Sequence, residues 1–204
     1  MTFDRRALIA SGLALAAAPV AAARAAPLPA APGDMLMGSA KAPAQLVVFA
    51  SPSCPGCAHW WNHDLPEIRK AYIDTGKVRL VFREFLTGPV EFAAAAFLLA
   101  RRVGAARYFA VLDMVFDRQA AIFQSGELWE GLLAIGKTFG LTEAQFTAAL
   151  QDQAALAELN RRVEIAAVRD GVQGTPTFIL NGRRLQGEVT VDVLKKALAV
   201  PAKG

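Results

Sequence analysis

Ser51-Pro52-Ser53-Cys54-Pro55-Gly56-Cys57-Ala58-His59-Trp60-Trp61 holds the chain's only two cysteines, spaced Cys-x-x-Cys. The apolar run Leu46-Val47-Val48-Phe49-Ala50 comes just before it and a helix-compatible run follows. That order predicts a strand, a tight turn and then a helix N-terminus. Unpaired backbone N–H groups and the positive end of the helix dipole would surround Cys54 and favour an anion there. A thiolate so placed has a lowered pKa, and the thiolate is the form that attacks disulfides. Pro55 suits the first helical turn, because the N–H it lacks would have no partner anyway. Cys57, one turn on, can reach back and close a disulfide with Cys54 at almost no loop cost.

Two close cysteines also occur in metal knuckles, but a structural zinc ion wants four ligands. The remaining candidates are His59 and His63, one helical turn apart, and Cys57 and His59 do not face each other at a spacing of two. No second Cys-x-x-Cys completes a tetrahedral set. The motif in its strand–turn–helix context therefore favours a redox pair with no metal, over a knuckle or an inert structural disulfide.

Working outward to the N-terminus, residues 1–25 read as an export signal. Arg5-Arg6 form a charged n-region, Ala7 to Ala23 are weakly apolar, and Ala23-Arg24-Ala25 is a small-x-small cleavage site. About 17 mostly alanine residues broken by Gly12 and Pro19 make a poor spanning helix. Asp4-Arg5-Arg6-Ala7-Leu8-Ile9 resembles a twin-arginine signal, though a plain secretory signal also carries positive charge. Export implies a compartment where disulfides persist, and the chain is expected to be periplasmic. The formal net charge is +4, and removing Arg5, Arg6, Arg24 and Asp4 leaves +2. So balanced a surface argues for neither nucleic acid nor an anionic membrane, and basic blocks interleaved with aromatics are lacking. About 179 residues then remain, the size of one domain with an inserted subdomain. The expected layout is a signal at 1–25, a flexible lead-in at 26–33 and a domain at 34–204.

Within that domain, Met35-Leu36-Met37 reads as a short first strand and Leu46 to Ala50 as a buried central one. A helix is expected from about Cys57 to Thr75, kinked or interrupted at Pro66 and ended by Gly76. Lys77 to Phe85 reads as a strand with Val78, Leu80 and Phe82 on one face. From Val90 to Asp170 the pattern is helical only. Its stripes are Ala93/Phe97/Ala100, Tyr108/Leu112/Val115, Leu128/Leu132/Ile135 and Leu156/Leu159/Val163/Ala167. Thr142 and Gln145 form a capping box, with Leu141 and Phe146 at the staple positions. Gly174-Thr175-Pro176-Thr177-Phe178-Ile179-Leu180 returns to strand character, and Asn181-Gly182 before Arg183-Arg184-Leu185 predicts a hairpin. Thr190 caps a closing helix through Ala199, stopped by Pro201.

With Cys54-Pro55-Gly56-Cys57 and Gly174-Thr175-Pro176-Thr177-Phe178 both in place, the chain resembles the DsbA-like branch of the thioredoxin superfamily, from about Met35 to Val200. The resemblance implies an α/β thioredoxin fold, a mixed central sheet flanked by helices, with an all-helical insertion at about 88–171. It makes Cys54 the exposed nucleophile and Cys57 the buried resolving cysteine of a redox-active disulfide that needs no other cofactor. Pro55 and Gly56 would form the active-site turn. Pro176 would be a cis-proline facing the disulfide, and Thr175 and Pro176 would hold a client strand through backbone pairing. The implied partners are reduced or unfolded exported proteins and a redox partner that resets the disulfide.

The sequence departs from the family pattern twice. Pro55-Gly56 stands where strongly oxidising members commonly carry Pro-His, so less thiolate stabilisation is expected. Val48 stands where many relatives place a buried acid six residues before the first cysteine. Glu84, at the end of the neighbouring strand, is the candidate replacement as proton relay, against the plainer reading of a surface glutamate. His59 either lines the entrance to Cys54 or is a solvated helix residue, and Trp60 and Trp61 are packing residues. The implied activity is dithiol oxidation of folding clients. A reductase or isomerase, and a non-catalytic copper- or partner-binding module, are the alternatives.

Overall fold

The computed structural model describes residues 28–200. The expected signal at 1–25 and the Pro201 stop lie outside them. Five strands form one sheet in the order β1-β3-β2-β4-β5: β1 is Met35–Met37, β2 Ala44–Ala50, β3 Val78–Glu84, β4 Thr177–Leu180 and β5 Arg183–Leu185. β2 lies parallel to β3, with Leu46 beside Leu80 and Val48 beside Phe82, and antiparallel to β4, with Val48 beside Phe178. As the central strand it is covered on both faces, which is why it reads as one apolar run rather than an alternation. Leu46, Val48, Val78, Leu80 and Phe82 enter the main core; Val47, Phe49, Val81 and Ile179 enter a smaller core on the other face. Because β4 runs antiparallel to β2, its first residues lie beside the C-terminal end of β2, with Thr177 paired to Phe49. This topology brings the Cys-x-x-Cys turn and the Thr-Pro motif together across 120 residues of chain.

The crossover from β2 to β3 is helical through residues 55–73, beginning earlier than the sequence suggests. It comprises α1 (Pro55–His59), a π-helical turn (Trp60–Asp64), α2 (Leu65–Ile68) and a second π-helical turn (Arg69–Ile73). Pro66 has no N–H to give; just ahead of it Leu65 N donates five residues back to Trp60 O, so the helix widens there into a π-helical turn and then continues. Gly76, at φ +71°, ends the crossover. The Asn181-Gly182 hairpin forms as expected, both residues having positive φ, 49° and 82°.

Between β3 and β4 stand α3 (Val90–Val103), a 3-10 turn (Ala105–Arg107), α4 (Tyr108–Ser125), α5 (Leu128–Thr138), α6 (Glu143–Leu150) and α7 (Gln153–Val168). The Thr142/Gln145 capping box is formed in both directions, and Leu141 and Phe146 meet around Gly136. One apolar stripe shifts: in α7 Ala166 is buried and Ala167 is exposed, because Val163 is followed on the inner face at i+3 rather than i+4. After β5, α8 (Val191–Ala199) is capped by the Thr190 hydroxyl, which accepts from Val193 N at 3.2 Å.

Two adjacent charges at the end of β3 fasten the periphery to the sheet. Glu84 is not a surface residue: its carboxylate is 1 % exposed and accepts from Arg101 Nε (2.8 Å), Tyr108 Oη (2.9 Å) and Arg162 Nε (2.7 Å). Three helices of the insertion, α3, α4 and α7, thus converge on one side chain. Arg83, on the opposite face, donates to Asp34, Asp170 and the Pro29 carbonyl. Arg101 also donates to Gly33 O at 2.6 Å, so residues 29–34 carry contacts that a free lead-in would lack.

Candidate active site

Cys54 is the N-cap of α1, with φ −86° and ψ 118°, and Pro55 occupies the first turn. The two cysteines are free thiols. Cys57 is 1 % exposed, while Cys54 is half-buried. Cys54 Sγ accepts the Cys57 backbone N–H at 3.3 Å and as a thiol donates to Thr175 O at 3.3 Å. The Thr175–Pro176 peptide is cis. A β-carbon on Gly56 would lie 3.5 Å from Pro176 Cδ and 3.9 Å from Cys54 Sγ, so the turn and the Thr-Pro loop are in van der Waals range.

The two sulfurs differ sharply as acids. The pKa of Cys54 falls from an ordinary 9.0 to about 6. The chief cause is the hydrogen bond from the Cys57 thiol to the Cys54 thiolate. Partial burial opposes it, and Thr175 and the backbone N–H groups of Cys57 and Gly56 add to it. Cys57 is pushed far up, first by burial and then because it donates to and sits beside the Cys54 thiolate. At neutral pH the pair is therefore one thiolate and one thiol. The Thr175 hydroxyl makes no well-aligned hydrogen bond, yet it lies close enough to lower the pKa of both sulfurs.

The other candidates lie elsewhere. Glu84 is committed to Arg101, Arg162 and Tyr108, and neither carboxylate oxygen touches a cysteine, so it is a structural anchor and not a relay. Val48 is fully buried in the main core, paired with Phe178 across the sheet, and supplies no acid there. His59 pairs with Glu188 and has no hydrogen bond to Cys54: its Nε2 is 3.3 Å from Glu188 Oε1, and its side chain is 60 % exposed. His59, Asp64 and Glu188 bring one nitrogen and two oxygen ligand atoms within 4.8 Å of one another. Burial and the Glu188 carboxylate raise the Asp64 pKa. Neither cysteine belongs to this group. Trp60 and Trp61 are packing residues, 0 % and 3 % exposed, whose indole N–H groups donate to Val189 O and Asp113 Oδ1.

Four residues that sequence reasoning passed over hold the turn in place. Ser53 Oγ donates to Thr87 O at 2.7 Å, Thr87 N donates to Ser51 Oγ at 3.2 Å, and Ser51 N reaches Cys57 Sγ at 3.5 Å. Gln119 Nε2, from α4, donates to Pro52 O at 2.6 Å and Cys54 O at 3.1 Å. Gln119 had a signal in the sequence: it continues the Tyr108/Leu112/Val115 stripe at the next core position, where a polar side chain needs a buried partner. The serines and Thr87 had none, since short hydroxylic residues beside prolines are common in any loop.

A central β-turn-α unit with a dithiol at the helix N-terminus, beside a proline loop from the adjacent antiparallel strand, defines a thioredoxin-fold protein with a Cys-x-x-Cys site. The thioredoxin family profile matches residues 30–199, and the chain belongs to that family. A Rickettsia conorii protein, provisionally named a protein-disulfide oxidoreductase, is 31 % identical over 166 residues, covering 81 % of this chain and 59 % of its own. The corresponding Rickettsia prowazekii protein is 30 % identical, covering 81 % and 60 %. This chain thus spans about three-fifths of the length of these relatives. Among solved structures, Wolbachia pipientis alpha-DsbA1 superposes with a TM-score of 0.74 at 23 % identity, over 84 % of this chain and 92 % of that one. The fold, helical insertion included, is the DsbA-like thioredoxin fold.

Proposed function

We propose that the protein is an exported thiol:disulfide oxidoreductase that works as a dithiol oxidase on reduced client proteins. The observation that carries this reading is the asymmetry of the pair, a Cys54 with a pKa of about 6 beside a Cys57 held as a thiol. A sulfur that is stable as a thiolate is a good leaving group, and stabilising the dithiol form makes the disulfide form oxidising. In the first step a client thiolate attacks Cys54 Sγ of the Cys54–Cys57 disulfide. That bond breaks, Cys57 leaves and takes up a proton, and a Cys54–client mixed disulfide forms. In the second step another client thiolate attacks the client sulfur of that bond, and Cys54 leaves as the thiolate. The client loses two electrons and gains a disulfide; the enzyme gains both electrons. Thr175 and Pro176 border the half-buried Cys54, where an extended client segment would pair with the loop backbone. A membrane or soluble redox partner must then remove the two electrons.

Among the described residues no helix is long and apolar enough to cross a membrane. The twin-arginine-like N-terminal residues and the expected cleavage at Ala25 support export to the periplasm.

The test is the reduction potential of the Cys54–Cys57 pair, equilibrated against glutathione buffers. A value nearer the strong-oxidant end of the roughly −120 to −270 mV range spanned by this fold supports the oxidase. A value near the thioredoxin end overturns the direction and makes the protein a reductase or isomerase. Catalysed oxidation of a reduced client should also vanish in Cys54→Ser.

A further inference from the structure

The turn that carries Cys54 is poor in means of fastening itself. Prolines at 52 and 55 remove two backbone donors from a stretch of four residues. The Cys54 N–H goes to Ser51 O at 3.1 Å, and the Cys54 carbonyl receives Ala58 N at 3.1 Å, the first bond of α1. Pro52 is buried, so its carbonyl needs a donor from the protein. That donor comes from the helical insertion. Gln119 is 3 % exposed, on the core face of α4 between Val115 and Ile122, and its amide nitrogen spans Pro52 O and Cys54 O. Both partners are carbonyls, so the nitrogen and not the oxygen must face them, and its two hydrogens match the two acceptors.

We infer that Gln119 is a positioning residue of the redox turn, setting the orientation of Cys54 through the peptide planes on either side of Ser53 and Cys54. One of those planes joins Cys54 to Pro55, and its angle decides where Sγ lies relative to the N–H of Cys57. On the far side of the turn, Ser51, Ser53 and Thr87 hold its hydroxyls and leave the two carbonyls alone. Without the Gln119 amide the Pro52 carbonyl is buried with no partner. The turn then rotates to satisfy it, and the thiolate loses alignment with its donors. The insertion would thereby tune the reactive sulfur as well as cover the core. This inference rests on Cys54 being the attacking and leaving sulfur, as proposed above. Its test reads the thiolate directly, so it succeeds or fails whether or not any client is oxidised.

The measurement is a pH titration of the reduced protein, following thiolate absorbance at 240 nm, in the unsubstituted chain and in Gln119→Met, which keeps length but has no donor. The expected result is a Cys54 midpoint displaced upward, with about fivefold less thiolate at pH 6. An unchanged midpoint, with oxidised and reduced forms destabilised equally, would show that Gln119 only fills space and would overturn the inference. A second reading needs no substitution. In the unsubstituted protein the Gln119 side-chain amide resonances should shift with the same midpoint as Cys54, because they bond its carbonyl. Resonances that stay fixed from pH 4 to 9 would overturn it equally.

Discussion

At the scale of single residues, the reactivity of Cys54 is a balance between one buried thiol donor, a few backbone N–H groups and partial burial. Gly56 adds an N–H and nothing more. Its position is open: a β-carbon there makes only ordinary contacts, at 3.5 Å to Pro176 and 3.9 Å to Cys54 Sγ, and the glycine has no left-handed φ. Gly56→His should therefore fold and set an imidazole beside the thiolate. A cationic neighbour favours the charged sulfur, so the Cys54 midpoint should fall below about 6. The potential should rise by roughly 30 mV for each pKa unit by which that midpoint falls. A titration and a glutathione equilibration on the same variant check both; an unmoved midpoint would mean the ring turns to solvent. In the parent protein, iodoacetamide should modify Cys54 with a rate that climbs through pH 6 and leave Cys57 untouched, as peptide mapping after brief labelling would show. The cysteines, the turn and the Thr175–Pro176 partner were legible because each is a rare residue in a fixed local context. His59 was not, because a helix spacing does not say whether a side chain faces the motif or, as here, Glu188.

At the scale of elements, Glu84 shows how a strand end organises a subdomain. Its position in β3 continues the inward parity of Val78, Leu80 and Phe82, and there it meets two guanidiniums and a phenol. The shielded carboxylate and the low-dielectric surroundings hold the Tyr108 hydroxyl well above the ordinary phenol range, burial being the main cause. Removing one partner of such a buried set leaves the others unpaired, so Glu84→Ala should cost about 3–5 kcal/mol in urea denaturation. The Cys54 midpoint should stay put, since neither Glu84 oxygen touches the thiols; a displaced midpoint would restore the relay role. The sequence pointed to Glu84 only as an adjunct of the cysteines, because strand parity fails to show what three distant helices will present. Local signals fared better where one element settles its own geometry, as in the Thr142/Gln145 box and the Asn181-Gly182 turn. The crossover falls between these cases: Pro66 marked an irregularity, but its form, π-helical turns on either side of α2 with Trp60, Trp61, Leu65 and Ile68 buried, had no signature in the local sequence.

At the scale of the whole molecule, the same asymmetry that activates Cys54 must make folding stability depend on redox state and pH together. Cys54 has its pKa lowered on folding, from an ordinary 9.0 to about 6. A lowered pKa stabilises the folded reduced protein at pH above the unfolded value and is lost as pH falls through the folded one. Cys57 has its pKa raised, which works in the opposite sense: above about pH 9 the unfolded chain releases that proton and the folded chain keeps it. The oxidised protein has neither group to titrate, and every other ionisable side chain is common to both forms. The difference in unfolding free energy, reduced minus oxidised, should thus be flat below about pH 6, rise between 6 and 9, and fall again at higher pH. Parallel urea titrations of the two forms at half-unit pH steps would trace it. A difference that stays constant from pH 5 to 9 would mean that Cys54 ionises in the folded protein as it does in the unfolded chain. The fold would then stabilise the dithiol by no ionisation of Cys54, and the oxidase reading would lose the observation that carries it.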